Sequence, residues 1–303
     1  MITGISGFVG RYMASYAARH GAMVFGISRR AGIDTFATVL VADLNDASAT
    51  THALEVAEPD VIIHLAALTP ANSLEVSLQT WMTGTPLATL NLLEAARCCC
   101  SEATILIVSS SAVYGHVPVD RLPITEDYPI QPVTMYGVSK AIQELLAMRY
   151  VAEFGMRIIR VRPFNLVGPG EPRAMLTSTL AMQVAAIARG MQPPVVRMRH
   201  RATSRDFTDV RDAVAAYWAI LERGDAGAVY NVCSGVATPI GEIVEQLLQL
   251  AGVSALIEET GLLASGDILV QAGSATRLTA ITGWQPAFDL TTSLRDLLAT
   301  FMP

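Results

Sequence analysis

Three glycines near the start of the chain, Gly4, Gly7 and Gly10, are spaced three residues apart and precede an amphipathic helical stretch. Glycine lets a backbone turn tightly and approach a bound group closely, and the free N–H groups at the start of a helix favour a negative charge. The pattern therefore predicts a loop that holds a phosphate, with an ordinary glycine turn as the alternative.

Short apolar runs alternate with helical stretches along the first half of the chain. The runs are apolar throughout, which is typical of strands buried on both faces of a parallel sheet: 22–27, 38–41, 61–65, 105–108 and 158–161. Helices are predicted between them, at 8–20, 47–56, 87–97 and 136–153. This order of strands and helices, with a glycine loop after the first strand, predicts an α/β fold of the Rossmann type, with a doubly wound parallel sheet.

The character of the sequence changes after Pro163, where glycine and proline turns and dense arginine precede helical stretches at 177–189 and 240–251. We expect a dinucleotide-binding domain over 1–163 and a smaller, mainly substrate-binding lobe over 164–303, with 206–235 returning to the first domain. Four arginines lie within nine residues and suit either a bound diphosphate or a solvated surface: Arg197, Arg199, Arg201 and Arg205.

Lys140 is the only lysine among 21 basic residues, and it stands four positions after Tyr136. On a helix these two positions share a face, so the ammonium is expected to favour the ionised form of the phenol. A compact ammonium also fits beside a phenol better than a guanidinium does. The pair predicts proton-transfer chemistry, with a chance pairing on a solvated helix as the alternative.

These residues, with several further segments in the same order, resemble the extended short-chain dehydrogenase/reductases that act on sugar nucleotides. The segments are 61–67, 105–115, 162–170, 205–210, 230–235 and 282–286. The resemblance implies that Ser110, Tyr136 and Lys140 are catalytic. Ser110 and Tyr136 would bind a substrate carbonyl, Tyr136 would protonate its oxygen, and Lys140 would supply positive charge and hold the nicotinamide ribose.

Cofactor preference can be predicted from the end of the second strand, where Ser28, Arg29 and Arg30 offer no acid for the ribose hydroxyls of NAD. Two guanidinium groups favour NADP over NAD, with exposed loop arginines as the alternative. The resemblance implies these dinucleotide contacts: Gly4, Ser6, Gly7, Phe8, Val9, Gly10, Ser28, Arg29, Asp43, Leu44, Leu65, Ala66, Ala67, Tyr136, Lys140 and Arg162. The substrate contacts that it implies are Ser111, Asn165 and Arg205.

The resemblance also implies a reaction, the NAD(P)H-dependent reduction of the 4-keto group of a sugar nucleotide, with GDP-4-keto-6-deoxy-D-mannose to GDP-D-rhamnose favoured. Ala112 stands where related dehydratases have an acid and C3/C5 epimerases a cysteine, and alanine cannot transfer a proton. A nucleotide-sugar 4-epimerase with tightly bound NAD is the alternative, and a non-catalytic NAD(P)-binding regulator is a second. Thr85 replaces a family asparagine and Ala264-Ser265 a diphosphate-binding Arg-Pro pair, so the nucleotide is left open.

Composition argues against several other classes of protein. A net charge of −6 disfavours a general nucleic-acid binder, and no apolar run reaches the roughly 18 residues of a membrane span. No signal-like leader precedes the glycine loop, and the cysteines lack zinc or disulfide spacing: Cys98, Cys99, Cys100 and Cys233. We therefore expect packed thiols, no metal and a cytoplasmic enzyme. The first strand is short, with only three residues before Gly4, so an upstream native start is left open.

The helices predicted at 87–97 and 136–153 are apolar around most of their circumference. One stripe facing a sheet requires fewer apolar positions than this. A second apolar face indicates a partner, so we expect a homodimer formed through a four-helix contact.

Overall fold

The computed structural model describes residues 1–32, 35–69, 76–261 and 268–302, and the predicted counterpart of the Arg-Pro pair, Ala264-Ser265, lies outside them. The strands, in chain order, are β1 (Ile2–Thr3), β2 (Phe25–Ser28), β3 (Thr38–Val41), β4 (Val61–His64), β5 (Thr104–Val108), β6 (Ile158–Pro163), β7 (Asn165–Val167), β8 (Val195–Met198), β9 (Ser204–Asp209), β10 (Val229–Val232), β11 (Ala237–Pro239), β12 (Leu256–Glu259) and β13 (Val270–Gln271).

A parallel sheet of seven strands forms the centre of the molecule, in the order β10-β6-β5-β4-β1-β2-β3. The chain runs outward from β1 to β3, then crosses back to β4, so the direction of winding reverses between β1 and β4. In open sheets of this kind, ligands bind outside the carboxyl ends of the strands at such a reversal. The predicted doubly wound α/β fold is confirmed.

The helices are α1 (Phe8–Arg19), α2 (Ala47–Ala57), α3 (Leu78–Cys99), α4 (Met135–Phe154), α5 (Leu176–Ala188), α6 (Val210–Arg223), α7 (Ile240–Ala251), α8 (Thr276–Thr282) and α9 (Leu290–Ala299). Of these, α2, α3 and α4 cover one face of the seven-strand sheet, and α1, α6 and α8 cover the other. Ile62 and Ile105 join a core with α2, α3 and α4, while Ile63 and Leu106 join a core with α1 and α6. Successive strand side chains point to opposite faces, which is why neighbours enter different cores.

A second sheet and a further hydrophobic core are formed by residues that follow β6 in the chain. Strands β11, β9 and β13 pair in that order, β7 adds to β9, and α5, α7 and α9 share one buried cluster. Strand β10 and helix α6, which fall within 206–235, instead belong to the seven-strand sheet and its core. That the second part of the chain binds substrate stays a prediction.

Helix α3 begins nine residues earlier than the predicted start at Leu87. Its first turn is capped by the Ser77 side chain, which accepts a hydrogen bond from Thr80 N at 3.1 Å. Pro86 lies inside the helix and is buried. Proline lacks an N–H and is common at helix starts, so the sequence pattern placed the boundary after it. Tertiary packing around Pro86 overrides that local preference.

The prediction of packed thiols is wrong for Cys98 and Cys99, which are exposed at the end of α3, whereas Cys233 is buried. The side chains of Cys98 and Cys99 face solvent, whereas that of Cys100, the next residue, packs partly against the core. The described ranges contain no cluster of three or more side chains able to hold a metal ion. Among the helices that the structure describes, none has both the length and the apolar character needed to cross a membrane.

Candidate active site

The predicted site residues gather at one edge of the seven-strand sheet. Each follows or ends a different parallel strand, and the carboxyl ends of such strands meet at the same edge: Gly4 after β1, Ser28 on β2, Asp43 after β3, Leu65 after β4 and Ser110 after β5. The structure therefore brings together residues that are up to about a hundred positions apart in the chain, beside the reversal between β1 and β4.

The glycine loop meets the requirements of a phosphate site. Gly7 caps α1 without a side-chain hydrogen bond, which leaves the first N–H groups of the helix open to a ligand. A Cβ atom at Gly10 would lie 2.4 Å from the Gly4 carbonyl oxygen, so only glycine allows the loop and the helix to approach this closely. Ser6 and Gly7 are exposed at the tip. This loop fits the pyrophosphate of a dinucleotide.

The end of β2 lies beside this loop. Ser28 is buried, and its hydroxyl is 3.2 Å from that of Ser6, while Arg29 and Arg30 are exposed. Asp43 is exposed as well and accepts a hydrogen bond from Asn45 N at 3.0 Å. The two guanidinium groups are thus accessible to a phosphate on an adenosine ribose.

Ser110 and Tyr136 are brought together by two tight local structures. After β5, a 3-10 turn over Ser111–Tyr114 begins with the Ser110 hydroxyl accepting from Ala112 N at 3.2 Å. Helix α4 packs directly on this turn, because a Cβ at Gly137 would lie only 2.6 Å from the Ala112 carbonyl oxygen. Thr134 caps the helix, and the Ser110 side chain lies close enough to the Tyr136 phenol to favour its ionised form.

The pKa of Tyr136 is shifted in the direction opposite to the predicted one, and Lys140 is not among the causes of the shift. Burial raises the pKa of the Tyr136 phenol above its ordinary value, and the neighbouring Ser110 side chain offsets this only in part. The Lys140 ammonium instead donates to the Val108 carbonyl at 2.7 Å, and burial lowers its pKa to about 7 despite the nearby Glu144. Tyr136 is therefore protonated at neutral pH, as a proton donor must be.

The Arg162 side chain is buried, and its guanidinium donates hydrogen bonds to other residues of the protein. Its Nε and one terminal nitrogen donate to the two oxygens of Glu144 at 2.9 and 2.7 Å. The other terminal nitrogen donates to the Tyr114 hydroxyl at 3.0 Å and to the Glu126 carbonyl at 3.2 Å. These partners give Arg162 an internal role, and its contact with a dinucleotide stays a prediction.

Of the predicted substrate residues, Asn165 and Arg205 lie on adjoining strands of the second sheet, whereas Ser111 lies in the turn after β5. Asn165 on β7 donates to the Asp206 carbonyl at 2.9 Å, and Arg205 on β9 is paired in register with Gln271 on β13. Gln271 in turn donates to the Ser111 carbonyl at 3.3 Å. The three residues are thus linked, and their contact with substrate stays a prediction. The exposed Arg197 and Arg201 form ion pairs with Glu258 and Glu245, as on a solvated surface.

The sequence analysis missed two residues beside the candidate catalytic pair. Ser109 is 2% exposed, and its hydroxyl has no partner among the residues that the structure describes. Trp81 packs edge-on against the Tyr136 ring, with 6.1 Å between ring centroids. Ser109 could have been noticed as the first of three serines that follow β5. Trp81 was not identified because it precedes Pro86 and so lies before the start of the predicted helix.

Comparison with known proteins gives a consistent set of similarities. Residues 1–233 match the NAD dependent epimerase/dehydratase family. The GDP-6-deoxy-D-mannose reductase of Pseudomonas aeruginosa is 34% identical over 98% of this chain and 95% of that protein. The UDP-glucose 4-epimerase of Corynebacterium glutamicum is 27% identical over 99% and 94%. The solved structure of RMD from Pseudomonas aeruginosa complexed with NADPH has a TM-score of 0.88 at 33% identity, covering 99% of this chain and 98% of that one.

Proposed function

Because the chain belongs to the NAD dependent epimerase/dehydratase family, we propose that it reduces the 4-keto group of a sugar nucleotide with NADPH. Membership confirms the resemblance to extended short-chain dehydrogenase/reductases. We further propose GDP-4-keto-6-deoxy-D-mannose as substrate and GDP-D-rhamnose as product, since a GDP-6-deoxy-D-mannose reductase is 34% identical along nearly the whole chain. The observation that carries the proposal is the placement of Ser110 and Tyr136 side by side at the strand edge, by the turn after β5 and by helix α4 packed on that turn.

The residues at this edge divide the reaction between them. A nicotinamide bound here supplies the hydride that the carbonyl carbon accepts. Ser110 and Tyr136 hold the carbonyl oxygen, and Tyr136 transfers its phenolic proton to that oxygen as the alcohol forms. In its charged form, Lys140 stabilises the phenolate until solvent returns a proton. The pKa of Tyr136, raised by burial, keeps the phenol protonated before each turnover.

A 4-epimerase is the second candidate, because the same groups can also remove a proton from an alcohol and a UDP-glucose 4-epimerase is 27% identical over 99% of this chain. The two functions differ in cofactor balance. A reductase consumes one NADPH per sugar, whereas an epimerase regenerates its cofactor and interconverts two alcohols. A regulator would bind the dinucleotide but would neither reduce a keto sugar nor interconvert two alcohols.

The deciding experiment follows NADPH absorbance with GDP-4-keto-6-deoxy-D-mannose, and analyses the sugar nucleotides by chromatography. We expect one NADPH oxidised for each keto sugar consumed. Interconversion of UDP-glucose and UDP-galactose without net oxidation would establish the epimerase. Tight NADPH binding without turnover of any 4-keto sugar nucleotide would establish the regulator.

Arg29 should determine the preference for NADPH. It is exposed at the end of β2, where a guanidinium can meet the extra phosphate of NADP. In Arg29→Ala we expect kcat/KM for NADPH to fall about tenfold, since one charge-assisted contact is worth roughly that much, with NADH little changed. Steady-state kinetics with NADPH and with NADH measure this change, and the NADH reaction of the same enzyme is the control. Equal losses with both cofactors would contradict the assignment.

We propose that α3 and α4 form a homodimer interface. Both helices expose large apolar side chains: Leu87, Leu90, Leu145 and Met148. Light scattering at micromolar concentration should give the mass of two 32.3 kDa chains, and Leu145→Lys should give one, because a buried unpaired charge disfavours the contact. Met23→Lys, which changes an apolar residue 84% exposed on another surface, is the control. A wild-type monomer would rule out the interface.

A further inference from the structure

One part of the site that the proposed reaction leaves unexplained is a buried hydrogen-bond network behind Lys140. The Lys140 side chain is 3% exposed, and its Nζ donates to the Val108 carbonyl at 2.7 Å and to Gln143 Oε1 at 3.1 Å. Val108 ends β5, two residues before Ser110, and Gln143 lies one turn after Lys140 on α4. Within the described ranges, these two acceptors leave the third N–H of the ammonium without a hydrogen-bond partner.

The network continues from Gln143 to α3 and β4. Gln143 Nε2 donates to Thr89 Oγ1 at 2.9 Å, and the Thr89 hydroxyl donates to the Thr85 carbonyl at 2.8 Å. His64 Nε2 lies 3.0 Å from the same Thr89 oxygen. Gln143, Thr89 and His64 are completely buried, so these hydrogen bonds do not compete with water.

The partners fix the direction of each hydrogen bond. Because the Thr89 proton goes to Thr85, the Thr89 oxygen accepts from both Gln143 and His64, which places the His64 proton on Nε2. His64 Nδ1 then accepts from the Thr3 hydroxyl at 2.8 Å. Burial lowers the pKa of His64 to about 3, so its imidazole is neutral, as this arrangement requires.

The far end of the network is the wall of the predicted dinucleotide crevice. Ala66 N donates to Thr3 Oγ1 at 3.1 Å, and Leu68 N donates to Thr85 Oγ1 at 3.1 Å. Ala66 is among the predicted dinucleotide contacts. The same network therefore fixes the backbone that follows β4 and the acceptor that Gln143 presents to Lys140.

This network holds groups in place and does not conduct protons, because the Gln143 amide neither gains nor loses a proton near neutral pH. We propose that Gln143 is a positioning residue, which holds the Lys140 ammonium against Val108 with its free N–H directed to the reaction centre. The proposal rests on the proposed ketoreductase function. In this proposal, Gln143 itself contacts neither the substrate nor the cofactor.

The lysine itself offers a direct test that does not depend on turnover. Lys140 is the only lysine in the chain, so in a protein with isotope-labelled lysine every labelled NMR resonance comes from this residue. In the wild type we expect two distinct Hε resonances and slowly exchanging Nζ protons. Gln143→Met has a similar volume but cannot accept the bond, so the Hε resonances should merge and Nζ exchange should speed up about tenfold. Gln143→Glu keeps the acceptor for Lys140, although it loses the donor to Thr89, and should retain the wild-type pattern.

Kinetics then show whether the fixed lysine matters for catalysis. In Gln143→Met we expect kcat to fall about 10- to 100-fold, the range for losing a hydrogen bond to a charged group. KM for the sugar nucleotide should stay within about twofold, because Gln143 does not contact substrate. Gln143→Glu should recover kcat to within about threefold of wild type. Gln249→Met, on the exposed face of α7, is the control and should change neither quantity.

Several results would overturn the proposal. One is an NMR signal of Lys140 that is the same in Gln143→Met as in the wild type. Another is a Gln143→Met enzyme in which the Hε resonances merge but kcat is unchanged. A third is a Gln143→Met enzyme in which KM rises while kcat stays constant. Equal losses of kcat and of melting temperature in the Met and Glu variants would show a structural role only. If the wild type turns over no 4-keto sugar nucleotide, the proposed function fails, and the NMR comparison still decides whether Gln143 holds Lys140.

Discussion

Replacing Tyr136 with phenylalanine should lower kcat for keto reduction by about 100- to 10,000-fold, which is what a positioned proton donor contributes. Phenylalanine keeps the ring that packs against Trp81 and loses only the hydroxyl that lies beside Ser110. The fold and the dinucleotide site should therefore be unchanged. Stopped-flow measurement of NADPH oxidation gives the rate, and NADPH fluorescence titration gives the binding constant, which we expect within about threefold of wild type.

Tyr16→Phe is the matched control for this change. Tyr16 lies on α1, where its ring stacks on His20 at 4.2 Å between centroids, outside the proposed reaction centre. Its loss of a hydroxyl should leave kcat unchanged. A Tyr136→Phe enzyme that retains more than about a tenth of wild-type kcat would show that another group donates the proton.

Replacing Glu144 with glutamine should destabilise the protein by about 3–5 kcal/mol, the usual cost of breaking a buried ion pair from one side. Glu144 is completely buried and bonds Arg162 through both oxygens, and Arg160 lies 3.6 Å away. An amide cannot neutralise either guanidinium, so two positive charges would stay buried without a counter-charge. Urea unfolding followed by circular dichroism measures the loss.

Glu153→Gln provides the comparison on the same helix. Glu153 pairs with Arg149 one turn away, and both side chains are largely solvated. Exposed pairs of this spacing contribute about 0.3–0.5 kcal/mol, so this variant should unfold almost like wild type. If Glu144→Gln costs no more than Glu153→Gln, the buried carboxylate is not what holds Arg162 and Arg160 in the sheet.

The parts of the fold that the sequence predicted correctly depend on local patterns. Strand β3 and helix α7 have the predicted bounds, because apolar runs and helical periodicity are properties of neighbouring residues. The glycine loop was also predictable, since close approach of backbone atoms leaves no space for a side chain at Gly10. Parallel strands then place the loop, Ser110 and the other strand-end residues at one edge.

The parts that the sequence could not give depend on distant contacts. The start of α3 was misplaced because Pro86 breaks the local pattern, while packing from elsewhere in the chain supports it. The pKa of Tyr136 was predicted in the wrong direction, since burial outweighs any effect of Lys140. Gln143 follows Lys140 by three positions, yet its importance depends on Thr89, which lies on another helix.

The most direct test of the account is the fate of the hydride. The enzyme is incubated with GDP-4-keto-6-deoxy-D-mannose and NADPH that carries deuterium at the reactive position of its nicotinamide, and the product is examined by mass spectrometry and NMR. The account predicts one deuterium at C4 of the 6-deoxy sugar for each NADPH oxidised. A product without deuterium at C4, or no product while NADPH binds tightly, would contradict it.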